Sequence, residues 1–413
     1  MRAITHYKLL IAALPICRAL QPHASQNTCP WNWLSSTPGQ YLCSSAEAID
    51  SLDDIRRLET HHGHNSAGLQ SNIWSASPDC FDEYCVYTNN DFFGKGTSLI
   101  TTASNHQRIA QIQIPETVFK SSYDKARIVE IPGKGNGLVA TRAIRRGERI
   151  MAARPALLVH RDAFSELPIE DMYYLMDMAV NNLPKPRKES YLAQTGTMGG
   201  HKITDILFTN SFQVGLGDYD SFHYGNFPEA SVLNHDCRPN LAFFIDQNLT
   251  HYTHAVRDVE PGEELTISYI DGLQIRSVRQ ERTRNSLGFS CACSHCTLSE
   301  RDSGASDSRL LAISRIEGEL SDFNSQASSP AMIEEYIRLY KTEGLEHNIA
   351  GAYTLAALNY NLFGNAAMAK KFAELSVEAG LLERGPEAAD VREMKSLADN
   401  PKAHWSWNMK PHL

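Results

Sequence analysis

The chain has 413 residues, 42% of them hydrophobic and 21% charged, the balance of a folded protein of two or three domains rather than of a disordered chain. Its formal charge of -9 provides no basic stripe to neutralise a phosphate backbone, which argues against direct nucleic-acid binding and suits a basic protein substrate instead. No stretch reaches the roughly 18 apolar residues that a membrane-spanning helix needs.

In chain order, Met1-Arg2 through Lys8 precede an apolar run from Leu9 to Cys17, followed by Arg18-Ala19-Leu20-Gln21. That is the outline of a secretory signal peptide over residues 1–22. A cysteine-containing region over 23–115 holds Cys29, Cys43, Cys80 and Cys85. An even set of this kind is what disulfides leave behind, and Cys29 with Cys43 and Cys80 with Cys85 is the local pairing among three. In a reducing compartment the same residues would be free thiols. The expected localisation is therefore the secretory pathway or the extracellular space, with nucleus or cytoplasm as the alternative. Ile49, Leu52, Ile55 and Leu58 recur at helical spacing. His61, His62 and His64 around Gly63 read as a solvated loop, since nothing nearby supplies a fourth metal ligand.

From Lys125 to His160 the pattern changes to short runs rich in Ile, Val and Leu, punctuated by Pro132-Gly133-Lys134-Gly135-Asn136-Gly137 and by Arg145-Arg146-Gly147-Glu148. Short strands joined by tight turns follow. A helix-like insertion is expected over about 161–205. Strand signals resume at Leu241 to Asp246, His251 to Val256 and Glu264 to Ile270, the last two linked by Glu260-Pro261-Gly262-Glu263. Asn248-Leu249-Thr250 at the intervening hairpin tip reads as a turn, usable for glycosylation only on the secretory route.

After Cys296, Ser303 to Ser308 reads as a small polar linker, and 305–413 as a helical region. There Ile313, Ile316, Leu320 and Phe323 share one face, and Ile333, Ile337 and Tyr340 another. Ala352 to Phe363 and Ala366 to Ala379 form an alanine-rich pair broken at Gly364-Asn365, loosely like one tetratricopeptide hairpin. Core packing is the expectation for these faces, and a groove for a protein partner the alternative. The fold class is α+β.

Three separated pieces carry chemistry. Gly135-Asn136-Gly137 follows a strand and lets a ligand approach the backbone, without the third glycine of a dinucleotide fingerprint. Ser231-Val232-Leu233-Asn234-His235-Asp236-Cys237-Arg238-Pro239-Asn240 concentrates polar groups behind an apolar triplet, and such groups need partners when buried. Glu263-Glu264-Leu265-Thr266-Ile267-Ser268-Tyr269-Ile270-Asp271 leads to Phe289-Ser290-Cys291-Ala292-Cys293-Ser294-His295-Cys296. The triplet Cys291, Cys293 and Cys296 offers three thiolates where a structural zinc wants four ligands. Cys237 is the remaining cysteine of this half, and His295 is the rival fourth ligand.

In this order the motifs Gly-Asn-Gly, Asn210-Ser211-Phe212, Asn-His-x-Cys-x-Pro-Asn, Glu-Glu-Leu-Thr-Ile-x-Tyr and Cys-x-Cys-x-x-Cys resemble those of SET-domain protein-lysine methyltransferases. The resemblance is closest to the branch that pairs SET and MYND modules, or to its fungal relatives without the MYND finger, and covers about residues 123–296. It implies a SET domain over 123–271, a fold of short strands interrupted by the helical insertion, and a post-SET zinc segment over 272–298.

The resemblance further implies S-adenosylmethionine and zinc as cofactors and a protein lysine as substrate. Gly135, Asn136 and Gly137 would cradle the methionine end, Asn234 and His235 the adenine-bearing half, and Phe289 would pack on the adenine. Tyr269 would be the catalytic tyrosine and also touch the cofactor, Phe212 would line the lysine channel, and Cys237, Cys291, Cys293 and Cys296 would hold the metal. Relatives often carry a second tyrosine where this chain has Leu287, a channel position. The change bears on the number of methyl groups transferred, or on activity itself, and leaves a catalytically weak or inactive SET-fold interaction module as the alternative.

Overall fold

The computed structural model describes residues 74–75, 79–112, 125–216 and 222–410. The apolar leader, Cys17, Cys29, Cys43, the helix expected over 44–58 and the histidines at 61, 62 and 64 lie outside the described residues.

The described strands are β1 (Cys80–Phe81), β2 (Tyr84–Asn89), β3 (Thr97–Thr101), β4 (Ala126–Ile131), β5 (Gly135–Ala140), β6 (Arg149–Ala153), β7 (Leu157–His160), β8 (Ser211–Val214), β9 (His223–Asn226), β10 (Asn234–His235), β11 (Leu241–Ile245), β12 (His251–Ala255) and β13 (Glu264–Ile267). They form three sheets, ordered β1-β2-β3-β7-β9-β8, β10-β13-β5-β4 and β11-β12-β6. With α1 (Ala103–Ala110) and the helices named below, the class is α+β as expected. The insertion after β7 is helical, comprising α2 (Ala163–Glu166), α3 (Ile169–Asn181), α4 (Lys185–Leu192) and α5 (Lys202–Asn210). Its apolar residues Met172, Leu175, Met176, Tyr191, Ile206 and Leu207 bury against Ile100, Leu157 and Val159 of the first sheet.

The described part of the N-terminal cysteine region joins the first sheet, because β3 pairs in parallel with β7, Ser98 opposite Leu157 and Ile100 opposite Val159. Strands β2 and β3 are buried throughout, so they lack the alternation that marks a half-exposed strand. Their hydroxyls are satisfied internally, Thr88 by Ser98 at 2.9 Å, Thr101 by His223 at 2.7 Å and Thr97 by the Pro155 carbonyl at 2.8 Å. Across the adjoining hairpin Cys80 and Cys85 form a disulfide. The segment 303–308 is not a linker but part of α7 (Glu300–Ser321). Ser299 caps that helix by accepting from the backbone N–H of Asp302 at 3.2 Å, and the small residues Ser303 and Ser306 are buried on its inner face.

The C-terminal region continues through α8 (Pro330–Thr342), α9 (Ile349–Leu362), α10 (Ala366–Glu383) and α11 (Ala389–Asp399), while α6 (Arg276–Leu287) leads out of the sheets. Helix α9 is buried nearly all round, as a central helix must be when apolar on every side. Ile313, Ile316, Leu320, Ile333, Ile337 and Tyr340 all belong to the core around it, so core packing accounts for the apolar faces. Helix α10 lies across β11 and β12. At its end, Gly385 (φ +84°) receives the ring of Phe244 so closely that a Cβ would stand 2.6 Å from it. No described helix is long and apolar enough to cross a membrane.

Candidate active site and cysteine cluster

Strand β13 assembles the site because it has a different motif on each flank. On one side it pairs antiparallel with β5, Leu265 opposite Leu138, and on the other parallel with β10, Asn234 opposite Thr266 and His235 opposite Ile267. Gly135-Asn136-Gly137 and Asn234-His235 are thereby brought to opposite edges of the strand that runs on into Tyr269. The parallel pairing is locked by buried Asn240, whose amide oxygen accepts from the backbone N–H of Thr266 at 2.9 Å while its nitrogen donates to the Glu264 carbonyl at 2.8 Å.

Asn234 donates through Nδ2 to the Asn136 carbonyl at 3.2 Å and to Glu264 Oε1 at 2.9 Å, and Lys134 pairs with Glu264 Oε2 at 2.7 Å. Gly137 sits beneath this group. A Cβ there would lie 2.6 Å from Ile131 Cγ1 and 2.8 Å from Asn234 Nδ2, so the close approach of the two strands requires glycine. Gly135 and Asn136 are exposed residues on one edge of this group.

Tyr269 lies two residues past the end of β13, not on a strand. The residue is 42% exposed, but its hydroxyl is turned inward and donates to the Leu233 carbonyl at 2.5 Å. Burial of that hydroxyl, with the Glu264 charge adding, raises its pKa well above the ordinary value. Tyr269, His235 and Phe289 make a ring cluster, with centroids 5.4 Å apart for Tyr269 and His235, 5.9 Å for His235 and Phe289, and 6.4 Å for Tyr269 and Phe289. His235 is buried, and burial, reinforced by Lys134 and Arg279, holds its pKa down to about 4. Phe212 on β8 packs in T-shaped contact with Phe243 (5.1 Å) and His251 (4.5 Å), and belongs to the same apolar cluster as Leu233. Leu287, at the end of α6, packs with Phe289 against the cysteines.

Cys237, Cys291, Cys293 and Cys296 are all buried, none is in a disulfide, and their four sulfurs lie within 4.8 Å of one another. His295 is outside that set. The Cys237 sulfur is 3.9 Å from that of Cys291 and 3.7 Å from that of Cys296. Four thiolates each about 2.3 Å from a central zinc would stand about 3.8 Å apart at the corners of a tetrahedron, so the donor set fits the metal. Arg279, 1% exposed, is the buried cation beside it. Burial disfavours its charge, but Cys237 and Cys296 outweigh that and raise its pKa, the environment an anionic tetrathiolate centre needs.

Two residues of the site carry no role in the sequence motifs. Arg238 donates through Nη1 to the carbonyls of Cys237 (2.7 Å) and Gly272 (2.8 Å), and through Nη2 to Glu343 Oε2 at 3.0 Å. An arginine inside the Asn-His-x-Cys motif was a visible signal, whereas Glu343 lies 105 residues away with none.

Residues 135–270 match the SET domain family. Histone-lysine N-methyltransferase set5 of Schizosaccharomyces pombe is 27% identical over 284 residues, 67% of this chain and 85% of that protein. N-lysine methyltransferase SMYD2 of Gallus gallus is 39% identical over 21% of this chain and 20% of its own length. Histone-lysine N-methyltransferase SMYD3 of Homo sapiens is 37% identical over 23% and 22%. The chain thus spans most of the fission-yeast relative and about a fifth of the other two. Residues 135–270 thus match a SET domain, a four-cysteine cluster completes that part of the fold, and the chain is similar to lysine methyltransferases.

Proposed function

We propose that the protein transfers methyl groups from S-adenosylmethionine to the amine of a protein lysine. The observation that carries this reading is the convergence on β13 of the exposed residues Gly135 and Asn136, the Asn234-His235 turn and a partly exposed tyrosine whose hydroxyl is fixed. Peptide groups beside aromatic faces suit a ligand with an amino-acid end and a purine. Bound there, the cofactor would supply an electrophilic methyl group on a sulfonium.

The residues of this chain orient and exclude rather than react. With its pKa raised, Tyr269 remains a neutral phenol at physiological pH, so it positions by hydrogen bond and dipole and does not act as the base. A lysine amine of pKa about 10.4 must shed its proton before attack, and apolar walls such as Phe212 disfavour its charged form. Cys237, Cys291, Cys293 and Cys296 would hold one structural zinc, fixing Phe289 and the end of the Asn234-His235 turn. The set5 and SMYD relatives support lysine as the acceptor. The Cys80–Cys85 disulfide supports the secretory route, which a reporter fused after residue 25 tests by its export.

Purified protein, labelled cofactor and a panel of basic proteins test the activity. Methyl incorporation is expected, reduced about 100-fold in Tyr269→Phe through misplacement of the reacting groups. Failure on every substrate despite cofactor binding would leave an inactive SET-fold interaction module, the reading that Leu287 favours.

A further inference from the structure

Glu343 follows the last residue of α8, and its side chain is fully buried. Its carboxylate accepts from Arg238 Nη2 at 3.0 Å and Ser306 Oγ at 2.7 Å on one oxygen, and from Arg309 Nε at 2.6 Å on the other. Its backbone carbonyl accepts from Arg238 Nε at 2.5 Å. Burial opposes ionisation of Glu343, but bonds from Ser306, Arg309 and Arg238 outweigh it and keep the carboxyl below its usual range.

The guanidinium held in this way has one further nitrogen, and Nη1 spans Cys237 O and Gly272 O. These carbonyls belong to the two segments that make the site: Cys237 ends the Asn234-His235 turn, and Gly272 lies three residues beyond Tyr269. The segments are in close contact here, since a Cβ on Gly272 would stand 3.0 Å from Cys237 O and 3.3 Å from Arg238 Nη1. A buried ion pair adds little net stability over apolar residues of the same volume, because both charges are desolvated. What it supplies is direction: the planar fork fixes four acceptors in one plane at set angles.

We propose that Glu343 is a positioning residue for the cofactor site. Through Arg238 it holds the Asn234–Cys237 turn and the chain beyond Tyr269 at a fixed separation, so that the C-terminal helical region sets the affinity for S-adenosylmethionine. The inference rests on the cofactor site proposed above.

The test uses the full chain, with metal content measured, titrated calorimetrically with S-adenosylmethionine. Two variants are compared with the wild type: Glu343→Gln, and the double variant Arg238→Met with Glu343→Met, which removes both fully buried charges and leaves only the partly exposed Arg309 without its partner. Both are expected to raise the cofactor Kd about tenfold while the KM for the protein substrate and the metal stoichiometry stay as in the wild type. A double variant that folds, retains metal and binds cofactor with wild-type affinity overturns the proposal. A double variant that does not fold overturns it too, because the pair would then be structural. A wild type that binds no cofactor would instead bring down the underlying assignment of the site.

Discussion

The backbone N–H of Tyr269 donates to Nδ1 of His235 at 3.1 Å. A backbone amide can only donate, so Nδ1 must be the unprotonated nitrogen and Nε2 carries the hydrogen, directed at the Cys237 sulfur 3.3 Å away. One imidazole thus ties the tyrosine to the cysteine cluster, in the manner of the outer hydrogen bonds that orient metal ligands. His235→Ala would strand the amide and the sulfur together. At about 1–3 kcal/mol for each buried group left unsatisfied, a loss of roughly 2–5 kcal/mol is expected in denaturant unfolding of the metal-loaded protein. A loss below 1 kcal/mol would show that the imidazole is not the link.

Gly135 and Gly137 answer differently to the same substitution. Gly135 has a φ of +75° and no atom beyond its own chain neighbours within 4 Å of an added methyl, so Gly135→Ala adds backbone strain of about 1–2 kcal/mol without displacing a neighbouring side chain. In Gly137→Ala the new methyl meets Ile131 and Asn234 and pushes the Asn234 amide out of place. The cofactor Kd of Gly137→Ala is expected to rise at least tenfold, about 1.4 kcal/mol, with a smaller change for Gly135→Ala, both read by titration.

Metal analysis separates the two ligand sets directly. One zinc per chain is expected in the wild type and in His295→Ala, and less than half that in Cys237→Ser. A strong chelator should lower the thermal midpoint of the wild type, because a site absent from the unfolded chain couples metal binding to folding. Equal zinc in wild type and Cys237→Ser would remove Cys237 from the set.

Stability should pass through a maximum between about pH 6 and 6.5. Burial holds His251 and His347 down to about 3, and burial with Arg149 and Lys125 holds His254 down to about 4. Below the ordinary value near 6.5 the unfolded chain takes up protons that these folded groups refuse, so stability is lost as the pH falls from there. Burial raises Glu383 to about 8 against the pull of Arg384, and raises Glu317 to about 7 with Asp271 adding. These folded carboxyls keep protons that the unfolded ones release, a contribution lost as the pH rises through 7 and 8. Thermal midpoints measured across pH 5 to 9 check the shape, and Glu383→Gln should flatten its alkaline side. A midpoint still climbing at pH 8 would contradict the assignment of these groups.

The site residues were legible because each sits in a short motif whose residue types point to one kind of chemistry. Gly-x-Gly permits close backbone approach, Asn-His after an apolar run concentrates polar groups, and the cysteines stand at metal-ligand spacing. The strands Leu241–Ile245 and His251–Ala255 were legible as short runs between turn residues. What escaped was set by tertiary context. Strands β2 and β3 are buried on both faces, with hydroxyls bonded to one another or to neighbouring elements, so period-two alternation is absent. Ser303 to Ser308 has the composition of a linker, and only packing of Ser306 against Glu343 shows why small polar residues suit a helix there. The partnership of Arg238 with Glu343 has no local signature at all.

That partnership also has a meaning in time. The Asn234–Cys237 turn is completed by Cys296, 59 residues after Cys237, and by Glu343, 105 residues after Arg238. At synthesis rates of about 5–20 residues per second, a growing chain that already contains Tyr269 waits several seconds more for the groups that hold this turn in place. During that interval Cys237 is a bare thiol and Arg238 a charge without its counterpart, so the emerging domain is most vulnerable to oxidation and to mispairing after its own sequence is complete. Translation that stops between Cys296 and Glu343 would release a chain with every motif of the site and all four cysteines, but without the carboxylate that holds Arg238.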